Sequence, residues 1–186
     1  HIDVLRQVIE PGVNLSVWQR RGASTISREL SALGGSDLRD TRHLTSPVSF
    51  DHDVAALLQR QCLEPSAFAH WRADLRSLAA LFFSISEGRD VCLRLFTTDR
   101  EDCRRLHADR THLRLLCTYQ GPGTEWLTDA QVDRAAQASC APNESIIRFG
   151  EPSRLEPFWV AILKGDPGNS GEGLVHRSPP VECSGQ

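Results

Sequence analysis

The spacing of the apolar residues changes at Gly88, and that change limits the folds open to this chain more than any other feature. Before it, SAFAHWRADLRSLAALFF (66–83) is apolar at helical spacing. Asp53 caps one segment, Pro65 opens the next and Gly88 ends it, which predicts helix over residues 53–86. Leu75, Leu78, Leu81 and Phe82 share one helical stripe and are expected to pack on a sheet. After Gly88 the chain consists of short apolar runs between turn residues: VCLRLFTT (91–98), LRLLCTY (113–119), TEWL (124–127), SIIRFG (145–150), FWVAILKG (158–165) and GLVHR (173–177). These predict strands. QGPG (120–123) reads as a tight hairpin between two of them, and Thr128 as the cap of a helical turn over 128–138. Nearer the start, VNLSVW (13–18) alternates like a strand. Residues 24–33 suit a helix capped by Ser24 or Thr25 and stopped by Gly34 and Gly35, and 36–52 read as a polar connection. The expected architecture is α+β: an N-terminal helical layer on an antiparallel sandwich or barrel.

Composition narrows the function classes. A chain of 186 residues suits a single domain over 1–186, with 1–88 mainly helical support and 89–186 the β core. A net charge of -3 argues against nucleic-acid binding, which neutralises phosphates with surplus Lys and Arg. No apolar run is long enough to cross a bilayer, so no membrane is expected. The opening HIDVLRQVIEPG lacks the basic start and apolar stretch of a secretory signal. The 6 cysteines form no C-x-x-C pair and no disulfide-scaffold spacing. Reduced thiols and a cytoplasmic location are expected. The chain has no Met, which is unusual at this length.

The chemistry concentrates at Cys103-Arg-Arg-Leu-His107-Ala-Asp109, just before a strong strand. Residues two apart on an extended chain point to one side, about 6–7 Å apart, so His107 and Asp109 can converge on an ion. His176 ends a later strand, closed by Arg177-Ser178-Pro179-Pro180, and is the best third ligand. Two His and one carboxylate with open positions form the facial triad of non-haem iron oxygenases. The plain alternative is a surface His–Asp pair and a satisfied, partly buried histidine.

The stretch CRRLHADRTHLRLLCTYQGPGTEWL, then AILKGD, then GLVHRSPP, resembles the bacterial domain-of-unknown-function family 1826. The likeness covers most of residues 13–180 and is sharpest at 103–127 and 161–180. The resemblance implies His107, Asp109 and His176 as fixed features, with Cys103, Glu125 and Arg177 beside them. It implies no particular reaction. Its members' association with zinc-responsive gene neighbourhoods, often near zinc-chaperone GTPases, implies a role in metal homeostasis.

The order H-x-D, strand, Gly-rich hairpin, strand, distal His also resembles, more distantly, the 2-oxoglutarate/Fe(II) dioxygenases. Those usually add an Arg or Lys about ten residues past the distal His, to pair bidentately with the cosubstrate carboxylate. Here no Arg or Lys follows Arg177, which puts 2-oxoglutarate in doubt. Arg114 and Arg177 are the substitutes, but regular alternation would turn both away from the metal.

Further residues carry conditional roles. A Cys103 thiolate would turn the site toward zinc, since soft sulfur favours that ion; otherwise Cys103 is a loop cysteine. Arg104, Arg105, Arg110 and Arg114 would hold an anionic substrate, or form a solvated face balanced by Asp99, Glu101 and Asp102. Tyr119, the one Tyr, could donate to a bound carboxylate. Glu125, if inward, would be a base or a fourth ligand.

The leading expectation is a metal-dependent oxygenase-like protein on a double-stranded β-helix (jelly-roll, cupin-like) core. Fe(II) is the favoured ion and Zn(II) the alternative. His107, Asp109 and His176, with Cys103, are metal ligands. Glu125 and Arg177 are catalytic, and Arg114 and Tyr119 bind cosubstrate. The alternative is a non-catalytic zinc protein for sensing, storage or transfer to a zinc-handling partner.

Overall fold

The structure is a computed structural model and describes residues 1–34, 37–98 and 104–180. Cys103, expected as a ligand, lies outside the described residues. In chain order the elements are a 3-10 helix Ile2–Ile9, β1 (Leu15–Trp18), α1 (Ser24–Leu30), β2 (Thr41–Thr45), α2 (Phe50–Arg60), a 3-10 helix Pro65–Phe68, α3 (Ala69–Ile85), β3 (Val91–Leu95), β4 (Leu113–Cys117), β5 (Glu125–Trp126), a 3-10 helix Asp129–Gln131, α4 (Arg134–Ala138), α5 (Asn143–Ile146), β6 (Ser153–Arg154), β7 (Val160–Lys164) and β8 (His176–Arg177). The fold is mixed α/β with several small antiparallel sheets. Among the described residues no helix is long and apolar enough to cross a membrane.

Two compact units form, one from Gly22–Asp99 and the other from His1–Arg21 with Arg100–Gln186. In the Gly22–Asp99 unit the helical period dictates the packing. Trp71, Leu75, Leu78 and Leu81 are buried along one stripe of α3, as a 3.6-residue repeat requires. Phe82 is only half-buried; Phe83 is the buried one, because the Phe50 ring of α2 meets it edge-on at 6.0 Å. α1 begins at Ser24 with no side-chain cap bond. Residues 36–52 hold an unexpected strand: β2 pairs with β3 from Thr41↔Leu95 to Thr45↔Val91. Its one Leu, Leu44, is exposed, so β2 exists through backbone pairing and left no apolar pattern to read.

In the other unit β7 is the central strand of β1-β7-β4. Val160, Ala161, Ile162 and Leu163 are all buried, which explains an unbroken apolar run rather than alternation. The second sheet has the order β6-β5-β8. QGPG therefore closes no hairpin: β4 pairs with β7 and β5 with β6 and β8, so this turn carries the chain from one sheet to the next. Thr128 does cap a helical turn, through a capping box with Gln131. SIIRFG is not a strand. Pro142 starts a turn whose carbonyl accepts from the N–H groups of Ser145 and Ile146, and α5 results. Ile146 then joins Leu106, Leu127, Val132 and Val175 in one apolar cluster.

Candidate metal centre

That cluster sets the site. Leu106 and Val175 are buried in it, and each is followed by a histidine. His107 and His176 lie opposite one another as an antiparallel bridge and exchange both backbone hydrogen bonds, at 3.0 and 2.9 Å. Directly opposed residues share a face, so anchoring the apolar neighbours inward brings both imidazoles together. Their ring centroids are 4.6 Å apart. Asn143 secures the approach: its Oδ1 accepts from the Leu106 N–H at 2.8 Å and its Nδ2 donates to the Arg104 carbonyl at 2.7 Å.

Asp109 arrives two residues after His107, and its backbone is clamped from β7. The Asp166 N–H donates to the Asp109 carbonyl. At Gly165 a Cβ would lie 2.6 Å from the Asp109 carbonyl oxygen and would also strike the Thr111 carbonyl. At Gly173 it would lie 2.8 Å from the Gly165 carbonyl carbon. Only glycine allows these backbones to approach so closely. The Asp166 carboxylate accepts from Ser170 N–H and Gly171 N–H, both at 2.7 Å, and so closes the loop leading to β8. Burial opposes its ionisation, but those bonds hold its pKa below the ordinary value.

The result is one group. His107, Asp109 and His176 each offer a ligand atom, all within 4.8 Å of one another. His107 Nε2 is 3.8 Å from Asp109 Oδ1, and His176 Nε2 is 3.6 Å from Asp109 Oδ2. Two atoms bonded to one ion at about 2.0–2.2 Å stand roughly 3–3.5 Å apart, so small adjustments suffice. The tautomers follow from the partners. His107 Nδ1 lies 2.8 Å from the Arg105 carbonyl and His176 Nδ1 lies 3.2 Å from the Leu174 carbonyl. A carbonyl only accepts, so each Nδ1 carries the hydrogen and each Nε2 keeps its lone pair. Burial holds the His176 pKa below the ordinary value, with the Asp109 charge opposing. Asp109 Oδ2 is buried and accepts no hydrogen bond. A buried carboxylate beside two imidazole lone pairs, with an oxygen that accepts no aligned hydrogen bond and is ion-paired to Arg114 at 2.9 Å, is a donor set that fits a divalent metal.

Arg114 corrects the alternation argument. Its Nε stands 2.9 Å from Asp109 Oδ2 rather than turned away. Residues 110–112 bend and β4 starts only at Leu113, so no continuous strand carries the parity from Asp109 to Arg114. Arg177 does turn away from the metal group. It faces Glu125, its cross-strand partner, with Nε 2.8 Å from Oε2, and Arg154 holds Oε1 at 2.6 Å. Burial opposes ionisation of Glu125, but the two arginines keep its pKa below the ordinary value. Neither Glu125 nor Arg177 joins the ligand group. Tyr119 is half-buried, its ring edge-on to Phe158 at 5.4 Å.

Sequence reasoning missed Asn143 as a clamp, and no pattern announces it. Gly165 and Asp166 did leave a signal, since they lie within the AILKGD run that carries the family resemblance.

Fold and site together define a mixed α/β protein with a two-histidine, one-carboxylate group able to hold a metal. The chain belongs to the family described as "Protein of unknown function (DUF1826)", whose model matches residues 1–186. No curated protein and no solved structure matches it.

Proposed function

We propose that this chain is a metal-dependent, oxygenase-like enzyme in which His107, Asp109 and His176 hold Fe(II), on a core of the double-stranded β-helix kind. One observation carries the reading: two Nε2 lone pairs and a buried carboxylate, whose Oδ2 accepts no aligned hydrogen bond, lie within 4.8 Å of one another. Three protein ligands on one side leave the other positions of a six-coordinate ion open. The His107 side chain is 34% exposed, so substrate has an approach to the site from that side. When bound, Fe(II) supplies the electrons that activate dioxygen toward an organic substrate. The protein's part is to fix both tautomers, keep His176 neutral and place the Arg114 cation beside the site. That cation favours an anionic substrate or cosubstrate, and 2-oxoglutarate is the first to try. The double-stranded β-helix reading draws support from the antiparallel pairing of the H-x-D segment with the strand of the distal histidine.

The test is metal analysis of anaerobically purified protein, followed by oxygen uptake with and without 2-oxoglutarate. Stoichiometric iron and oxygen uptake, both lost in His107→Ala and Asp109→Asn, are expected. Firm zinc retention with no uptake on iron loading would replace this reading with zinc storage or transfer to a zinc-handling partner.

A further inference from the structure

Arg114 stands where a cation is unfavourable once a metal is bound. Its Nε lies 2.9 Å from Asp109 Oδ2, the oxygen that also faces His176 Nε2 at 3.6 Å. A divalent ion bound to the Asp109 carboxylate would sit within a few ångströms of the guanidinium, and like charges that close repel strongly away from bulk water. One carboxylate and two neutral imidazoles cannot neutralise a divalent ion and an arginine together. The contact is also poorly aimed, since Oδ2 accepts no hydrogen bond despite the short distance. The Arg114 side chain is 36% exposed, so its remaining N–H groups can reach an incoming ligand.

We infer that Arg114 is an anion anchor that makes metal and oxyanion binding cooperative. In the metal-free protein Arg114 neutralises Asp109. With metal bound, it turns its N–H edge to a small oxyanion group, carboxylate or phosphate, one of whose oxygens occupies an open metal position. Because Arg114 adjoins a ligand oxygen, it meets the part of the anion nearest the metal rather than a remote second charge. A simple monoanion is therefore enough. The inference rests on the metal reading above and names the ligand class that completes that site.

The experiment is titration of the whole chain with Co(II), followed by its visible absorption, at fixed ionic strength in perchlorate. Acetate and methylphosphonate are added in separate arms. By linkage the anion and the metal must strengthen each other equally. Wild-type Co(II) affinity should rise about tenfold or more with a saturating anion, within the range usual for coupled sites. Arg114→Gln should bind Co(II) more tightly than wild type without anion and lose most of the anion effect. Arg114→Lys, which keeps the charge, should retain part of it and covers the case in which the Gln variant fails to fold. The arm with the larger effect identifies the oxyanion. Co(II) binding that is lost in His107→Ala yet indifferent to either anion would overturn the inference and leave the metal site standing. Failure of wild type to bind Co(II) at all would overturn both.

Discussion

Asp109 and Glu125 are two carboxylates of nearly equal burial, 5% and 6% exposed, and they meet opposite fates. Glu125 sits opposite Arg177 on the β5–β8 ladder, and Arg154 takes its other oxygen. One residue along that ladder, on the other face, Trp126 lies opposite His176, which in turn bridges His107. There Asp109 Oδ2 meets one guanidinium, that of Arg114 at 2.9 Å, without an aligned hydrogen bond. Burial of a charge therefore does not by itself set the two apart; the neighbours do, two arginines at Glu125 and two histidines with one arginine at Asp109. Glu125 is held by two guanidinium groups across its sheet, whereas Asp109 and its imidazole neighbours form a group that could hold a metal.

Removing one of the candidate metal ligands should give the largest effect. His176→Ala should weaken Co(II) binding by on the order of 100-fold or more, since even residues that merely orient ligands cost about 10–100-fold. Near wild-type affinity in that variant would erase the distinction between the two carboxylates. Glu125→Gln should do the reverse. It leaves two partly exposed arginines without their countercharge and should cost about 1–2 kcal/mol in urea unfolding, with Co(II) affinity within about twofold of wild type. Gly165→Ala should link the two properties. Its Cβ would press the Asp109 backbone aside, costing about 1–3 kcal/mol of stability and weakening Co(II) binding by roughly tenfold. Asn143→Ala should be milder, about 1 kcal/mol, because it removes two hydrogen bonds near the surface. The smallest effect concerns pH. Glu125 has a folded pKa below its unfolded one, so its contribution is present above about pH 4.3 and is lost as pH falls through the folded value. Urea midpoints measured from pH 6 to pH 3 should fall less steeply in Glu125→Gln than in wild type.

Helices α1 to α3, most strands and the three candidate ligands were legible because each rests on local information. α3 follows from a 3.6-residue stripe, β7 from an unbroken apolar run, and His107 with Asp109 from two-residue spacing. Other features depended on partners distant in sequence. β2 needed β3 to pair with, and the fate of QGPG turned on which sheet claimed β4 and which claimed β5. Arg114 reached Asp109 because a bend at 110–112 broke the alternation, and Glu125 was committed to arginines 29 and 52 residues away in the chain. The sequence by itself determined which groups could ligate a metal, since their chemistry belongs to the residue types. Only the tertiary structure decided that Glu125 meets two arginines while Asp109 meets two histidines and one arginine, because the surroundings of a buried charge depend on what the rest of the chain brings within about 4 Å of it.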